Sequence, residues 1–326
     1  MRRALARFLS LLAFLAAAVG HEAAAGTFSV LTYNVAGLPE GISGSHPATN
    51  HPQISPRLNA YDLVLVQEDF AYHELLVADL EHPYQSIKDT NPGPWGEQIG
   101  YAFGDGLNTF SRLPFTDFTR ITWNDCFGLI TNASDCLTPK GFSFQRHEIA
   151  PGVFLDVYNW HADAGNDPED LATRRANTRQ LYQYIAEHSQ GNAVLVMGDT
   201  NSRYTRDGDV LPEMLEAVGL TDVWLELVRG GVLPDVGPAL TAGCATDRAG
   251  PDCETIDKIF YRSSDKLLLE ALAYDVPADL FRDAAGEPLS DHHPTYALFR
   301  YTVVPEPGAA ALLATGLLAL GVRRRR

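Results

Sequence analysis

The chain has 326 residues, 45% of them hydrophobic, and a formal net charge of −16 from 41 acidic and 25 basic side chains. This length and apolar content suffice for one large globular core and exclude a disordered or fibrous chain. The negative field repels polyanions at long range, which weighs against sequence-indifferent binding to long nucleic acid.

In chain order, Arg2, Arg3 and Arg7 precede an apolar run from Phe8 to Val19, and Ala23-Ala24-Ala25 before Gly26 suits signal-peptidase cleavage. Residues 1–25 therefore read as an export signal. A single domain over residues 26–303 follows, with no linker or repeat inside it. Phe28 to Val35 and Asp62 to Gln67 are short runs rich in strand formers, carrying Asn34 and Glu68 at their ends. A short helix is expected over Tyr72 to Leu80. Cys126 and Cys136, then Cys244 and Cys253, form two close pairs, read as local disulfides that pin loops in an oxidising compartment. Neither pair has the two-residue gap typical of zinc sites.

Val153 to Trp160 is the next strand and delivers His161, with Asp163 two residues on. Pro168 to His188 reads as a helix, with Asp167 as N-cap, Pro168 in the first turn and Gly191 just beyond its end; Leu171, Leu181 and Ile185 would face the core. Ala193 to Met197 runs into Gly198-Asp199-Thr200-Asn201, Leu211 to Val218 is helical, Thr255 to Tyr261 is a strand containing Asp257, and Ser290-Asp291-His292 precedes a last strand from Pro294. Mixed strands and helices indicate a layered α/β or α+β domain. The tail, residues 304–326, joins Val304-Pro305-Glu306-Pro307 to an apolar segment and four terminal arginines. It resembles a PEP-CTERM sorting signal, which implies export in a Gram-negative bacterium and processing by envelope sorting machinery. Without that resemblance a plain anchor stays open, although about 15 residues at roughly 1.5 Å each fall short of a hydrocarbon core of roughly 30 Å.

The polar groups at these strand ends have complementary chemistry. Glu68 offers a hard oxygen to a divalent cation. Asp199 and Asn201, two apart, would share one face in extended backbone, although Gly-Asp-Thr-Asn is also good turn chemistry. His161 and His292 are imidazoles able to move protons near neutrality, and Asp257, costly to bury alone, is the candidate carboxylate that fixes the tautomer of the catalytic imidazole. Arg174, Arg175, Arg179, Arg203 and Arg206 form either a local basic strip or a set of solvated charges.

Tyr33-Asn34, Gln67-Glu68, Phe110-Ser111-Arg112-Leu113-Pro114, Asn159-Trp160-His161, Gly198-Asp199-Thr200-Asn201, Ile256-Asp257 and Ser290-Asp291-His292, in that order, resemble the motifs of the endonuclease/exonuclease/phosphatase superfamily. The resemblance covers nearly all of Phe28 to Arg300. It implies an α+β, DNase I-like four-layer αββα sandwich, in which two packed mixed sheets carry helices outside and the site opens at one sheet edge. By the same likeness Glu68 binds Mg2+ with help from Asn34, with Mn2+ or Ca2+ as alternatives, and Asp291 lies beside both the metal and the catalytic imidazole. Asp199 and Asn201 orient water and the scissile phosphate, His292 held by Asp257 is the general base, and His161 donates to a phosphate oxygen or assists the leaving group.

The implied activity is metal-dependent phosphodiester hydrolysis by water, on a phospholipid headgroup or nucleic acid, with no obligate protein partner. Tyr33 to Pro39 and Gln67 to Phe70 look closest to sphingomyelinase-like members, whereas Trp160 and the segment after His161 depart from the nuclease and inositol-phosphatase patterns. A secreted endonuclease and an inactive envelope binding module are the alternatives. Lipid hydrolysis would predict exposed aromatics at the mouth, for which Trp95, Phe103, Trp123 and Phe127 are candidates.

Overall fold

A computed structural model describes residues 24–93, 96–97, 103–129 and 132–305. The bulk of the expected export signal and of the tail lies outside the described residues. Among the described residues no helix is long and apolar enough to cross a membrane.

Two six-stranded sheets form the centre. Strands β1 (Ala25–Asn34), β2 (Leu63–Gln67), β3 (Tyr84–Gln85), β4 (Asn108–Ser111), β11 (Leu267–Asp275) and β12 (Thr295–Val303) make one sheet, in the order β11-β12-β1-β2-β4-β3. The other is β5-β6-β7-β8-β10-β9, from β5 (Thr116–Thr122), β6 (Gly141–Ala150), β7 (Val153–His161), β8 (Ala193–Asp199), β9 (Thr221–Asp222) and β10 (Asp257–Arg262). Each sheet is antiparallel except for one central parallel pair, β1 with β2 and β7 with β8.

Side-chain alternation along the strands builds the layers. Leu195 and Met197 of β8 point inward with Leu155 and Val157 of β7, and meet Val30, Leu63 and Leu65 from the other sheet. Val194 and Val196 point outward, beneath Leu181 and Ile185 of α3 (Pro168–His188) and Leu211 and Met214 of α4 (Leu211–Val218). Leu31, Tyr33, Val64 and Val66 on the opposite outer face pack on Ile54 and Leu58 of α1 (Pro47–Leu58). This is the four-layer αββα sandwich expected from the sequence.

Three expectations need correction. The sequence pattern does not predict α1, because Pro52 and Pro56 lie inside it; Pro47 starts the helix, and buried Asn50, His51, Ile54, Ser55 and Leu58 compensate for the lost backbone bonds. The helix expected over Tyr72 to Leu80 shrinks to α2 (His73–Leu76), which has no side-chain cap and stops at Val77. Leu171 is only partly buried. The inner face of α3 includes Arg174 and Asn177, which bond to surrounding loops, and Thr178, whose hydroxyl donates back to the Arg174 carbonyl, so hydrophobic periodicity overstated its apolar side. Asp167 does cap α3, in a capping box with Asp170, and both local disulfides form, Cys126–Cys136 and Cys244–Cys253.

Candidate active site

The two parallel pairs end at the same edge of the sandwich. Asn34 stands opposite Gln67, His161 opposite Asp199, and Asp199 opposite Asp257. Beneath this edge the Gln67 amide donates to Asn159 Oδ1 at 2.7 Å, and the Asn159 amide donates to the Val66 carbonyl at 2.9 Å. Two buried amides thus tie the sheets together under the polar residues, which fixes their separation. Gly198 is required here, because a Cβ on it would come within 1.9 Å of the Trp160 carbonyl oxygen, closing the β7–β8 approach.

Asp199 is the hub. Its Oδ2 accepts from Asn34 Nδ2 at 3.1 Å and lies 3.6 Å from Nε2 of both His161 and His292. The same Asn34 amide donates to Glu68 Oε1 at 3.1 Å, and His161 Nε2 is 3.8 Å from that oxygen. His292 donates from Nδ1 to Asp257 Oδ2 at 2.9 Å, the tautomer-fixing pair anticipated above, so Nε2 is the free nitrogen facing Asp199. Glu68, Asp199, His161 and His292 therefore converge.

Asn201 joins them by a different route from the one expected. Its φ is 49°, and its backbone N–H donates to Asp199 Oδ1 at 3.0 Å, so the pair forms a tight turn instead of sharing a face in extended chain. The Asn201 amide donates to the Ala162 carbonyl at 3.1 Å, clamping that turn to the end of β7. Asp291 stands exposed at the rim, its Oδ1 3.4 Å from the Ser290 hydroxyl, which donates to the Asn34 carbonyl. Asn34 Oδ1 is engaged by the Ala36 N–H, so the amide presents its NH2 side to the carboxylates.

The electrostatics follow from burial. Desolvation raises Glu68 above the ordinary carboxylate range, against the pull of Lys140 and Asn34. Desolvation pushes Asp199 up to about 6. Burial, with Lys140 and His292 nearby, holds His161 well below the usual imidazole range. Burial alone would depress His292 as well, but the carboxylates of Asp257 and Asp199 outweigh it and hold this ring well above the usual range.

Two carboxylates thus share one neutral amide, an arrangement short of positive charge. An oxygen-preferring divalent cation meets that deficit, so the donor set fits one. Among the described residues Asp199, Asp257 and His292 also bring one ligand atom each within 4.8 Å of one another, a grouping that differs from Asn34, Glu68 and Asp291. The hydrogen bond between Asp257 and His292 uses Oδ2 and Nδ1 of that second set and leaves Asp257 Oδ1 and His292 Nε2 without a hydrogen-bond partner among the described residues.

Sequence reading missed Lys140. It is buried, ion-paired through Nζ with Asp135 Oδ1, and its charge acts on Glu68, His161 and Asp199. A lysine between a cysteine loop and a strand looks like a solvent charge; only burial distinguishes it. Asp135 Oδ2 accepts the Ala164 N–H, and Asp163 Oδ2 accepts the Phe127 N–H, which stitches the disulfide loop to the end of β7.

Burial, then Asp135, pushes Asp163 up to about 7. An acid whose folded pKa is raised contributes stability below its unfolded value near 3.8 and loses it as pH rises to about 7. Asp163→Asn should therefore be more stable than wild type at pH 8 by on the order of a few kcal/mol and lose that advantage at pH 4, as read by urea unfolding.

A two-sheet sandwich with this acid, amide and imidazole cluster at one edge is of the DNase I-like class. The chain belongs to the Endonuclease/Exonuclease/phosphatase family, whose sequence profile matches residues 31–292. It is 40% identical over 278 residues to sphingomyelinases of Mycobacterium bovis and Mycobacterium tuberculosis, a match covering 85% of this chain and 53% of each relative. The chain thus spans about half the length of these curated relatives. Its fold resembles Staphylococcus aureus beta toxin with bound magnesium ions (TM-score 0.57, 16% identity, 83% of this chain and 99% of the toxin). It also resembles sphingomyelinase C from Streptomyces griseocarneus (TM-score 0.54, 18% identity, 83% and 99%).

Proposed function

We propose that the protein is a divalent-metal-dependent phosphodiesterase of sphingomyelinase type, hydrolysing the phosphodiester of a phospholipid headgroup. The observation that carries the reading is Asp199 Oδ2, reached within 3.6 Å by His161 and His292 and bonded to the Asn34 amide that also holds Glu68. Likeness to the mycobacterial sphingomyelinases supports the substrate class.

In this reading Glu68 and Asp199, with Asp291 at the rim, would hold the cation, Mg2+ in preference to Mn2+ or Ca2+, and Asn34 would set the spacing of the two carboxylates through its NH2 group instead of ligating the metal itself. When bound, the cation supplies positive charge that stabilises the anionic phosphoryl oxygens and opposes protonation of the nearby imidazoles. His292 takes the proton of the attacking water at Nε2, and Asp257 stabilises the imidazolium through Nδ1–H. Asp199 and Asn201 orient water and phosphate. His161, kept neutral by burial, donates to a phosphate oxygen or to the leaving group, and the Lys140 ammonium adds fixed positive charge beside them.

The domain comprises residues 26–303, and residues 1–25 and 304–326 act as export and sorting segments that bring the chain to the Gram-negative envelope or beyond it. The two disulfides support an oxidising destination. Against the endonuclease alternative stands the pairing of three of the five arginines that could form a basic strip: Arg174 and Arg206 with Asp209, and Arg179 with Glu213. The inactive-module alternative is disfavoured because the complete cluster is present.

Side-by-side hydrolysis of sphingomyelin, plasmid DNA and a phosphomonoester, each with Mg2+, tests the proposal. Sphingomyelin turnover at least tenfold above the others is expected. DNA cleavage without sphingomyelin turnover would replace this reading with the nuclease.

A further inference from the structure

Among the described residues, the aromatics expected at the mouth do not form an exposed surface. Phe103 and Trp123 are buried, Phe127 is half-buried, and Trp95 lies outside the described residues. The exposed apolar surface is elsewhere. Of the ten large hydrophobic side chains exposed among the described residues, four fall within ten positions: Leu227 (40%), Val232 (62%), Leu233 (46%) and Val236 (64%). Isolated exposed aliphatics are ordinary, but such concentration on one short segment is not.

This segment follows α5 (Val223–Leu227), and three observations put it at the active-site edge. β9 runs antiparallel to β10, whose first residue is Asp257, so the chain leaving β9 heads toward the catalytic end. The far side of the loop is tied by the Gly237 N–H to the Thr205 carbonyl at 2.8 Å, four residues after Asn201. The Glu254 N–H then donates to the Leu240 carbonyl at 2.8 Å, just ahead of Asp257.

The base is firm and the tip is apolar. Arg229 donates from Nε to the Val232 carbonyl and from Nη1 to the Pro251 carbonyl, and its guanidinium sits 5.3 Å over the Trp224 ring. The Gly231 N–H donates to Leu225 O at 2.7 Å. With Arg229 engaged at the base, the tip from Gly230 to Gly237 carries one charge, Asp235. On a chain of net charge −16, a tip without free cations suits a zwitterionic surface and gives no attraction for an anionic one.

We propose that the 227–236 loop is a docking element that inserts Val232, Leu233 and Val236 into a zwitterionic lipid bilayer and so holds the catalytic edge against it. The driving force is burial of aliphatic side chains at the acyl boundary. The inference rests on the lipid-hydrolase reading for its purpose, but not for its test.

The full chain carrying His292→Ala, with and without Val232→Ser, Leu233→Ser and Val236→Ser, is sedimented with phosphatidylcholine vesicles. The triple substitution should raise the lipid concentration for half-binding at least tenfold. In the catalytically intact protein it should lower turnover of vesicular sphingomyelin while leaving turnover of soluble bis-p-nitrophenyl phosphate unchanged. Equal sedimentation of both proteins, or none with either, overturns the proposal. So does a loop that serves a second copy of the chain, seen as dimer dissociation on triple substitution with vesicle binding unaltered. Binding that depends on the loop, with no sphingomyelin hydrolysis, would remove the substrate reading and leave the docking element standing.

Discussion

His292→Ala is expected to lower kcat for phosphodiester hydrolysis by about 10² to 10⁴-fold, the usual worth of a positioned general base. The ring is held on both sides, by Asp257 through Nδ1 and by proximity to Asp199 at Nε2, so water offers no equivalent acceptor. Substrate binding should change far less if, as proposed, Asp199, Asn201 and His161 hold the scissile phosphate. Removing the ring also strips Asp257 Oδ2 of its donor while Oδ1 already lacks one, so some stability loss is expected. Added imidazole, entering the vacated space, should restore part of the lost rate to a variant that has kept its thermal transition. A folded His292→Ala protein with undiminished kcat would remove His292 from the chemistry.

Glu68→Gln is expected to weaken divalent-cation binding by at least tenfold and to reduce turnover at limiting metal by a similar or larger factor. The substitution preserves shape and the acceptor for Asn34 Nδ2, but deletes one of the two negative charges that create the demand for a cation. The fold should survive, since desolvation already makes the charged form of Glu68 unfavourable in the metal-free protein. Glu68 also occupies positive φ, 57°, and its carbonyl accepts from Gly37 and Phe70 N–H groups; a glutamine retains that backbone. Calorimetric titration with Mg2+ separates lost affinity from unfolding.

Much of this arrangement was legible in the chain because strands of period two deliver their terminal side chains predictably. β7 and β8 end in His161 and Asp199 as their apolar runs imply, and Asp257, an acid in an apolar strand, announced the need for a partner. What escaped were features set by tertiary burial. Lys140 and Asp135 pair inside the protein with the Lys140 charge still acting on the site, an arrangement invisible in local sequence. Asn201 reaches the site through a turn with φ of 49°, so a same-face argument gave the right neighbours by the wrong geometry. α1 forms despite two internal prolines because its buried face outweighs propensity. The arginines of α3 and the loop beyond β8 read as a strip or as solvent charges, whereas Arg174 is buried against Asp209.

The measurement that bears most directly on the convergence of Glu68, Asp199, His161 and His292 as a metal-dependent hydrolytic site is turnover of bis-p-nitrophenyl phosphate by chelated wild-type protein during Mg2+ titration, paired with calorimetry. Negligible rate in chelator is predicted, followed by recovery whose midpoint coincides with Mg2+ binding and shifts at least tenfold in Glu68→Gln. Full turnover in chelator, or recovery indifferent to Glu68, would contradict it.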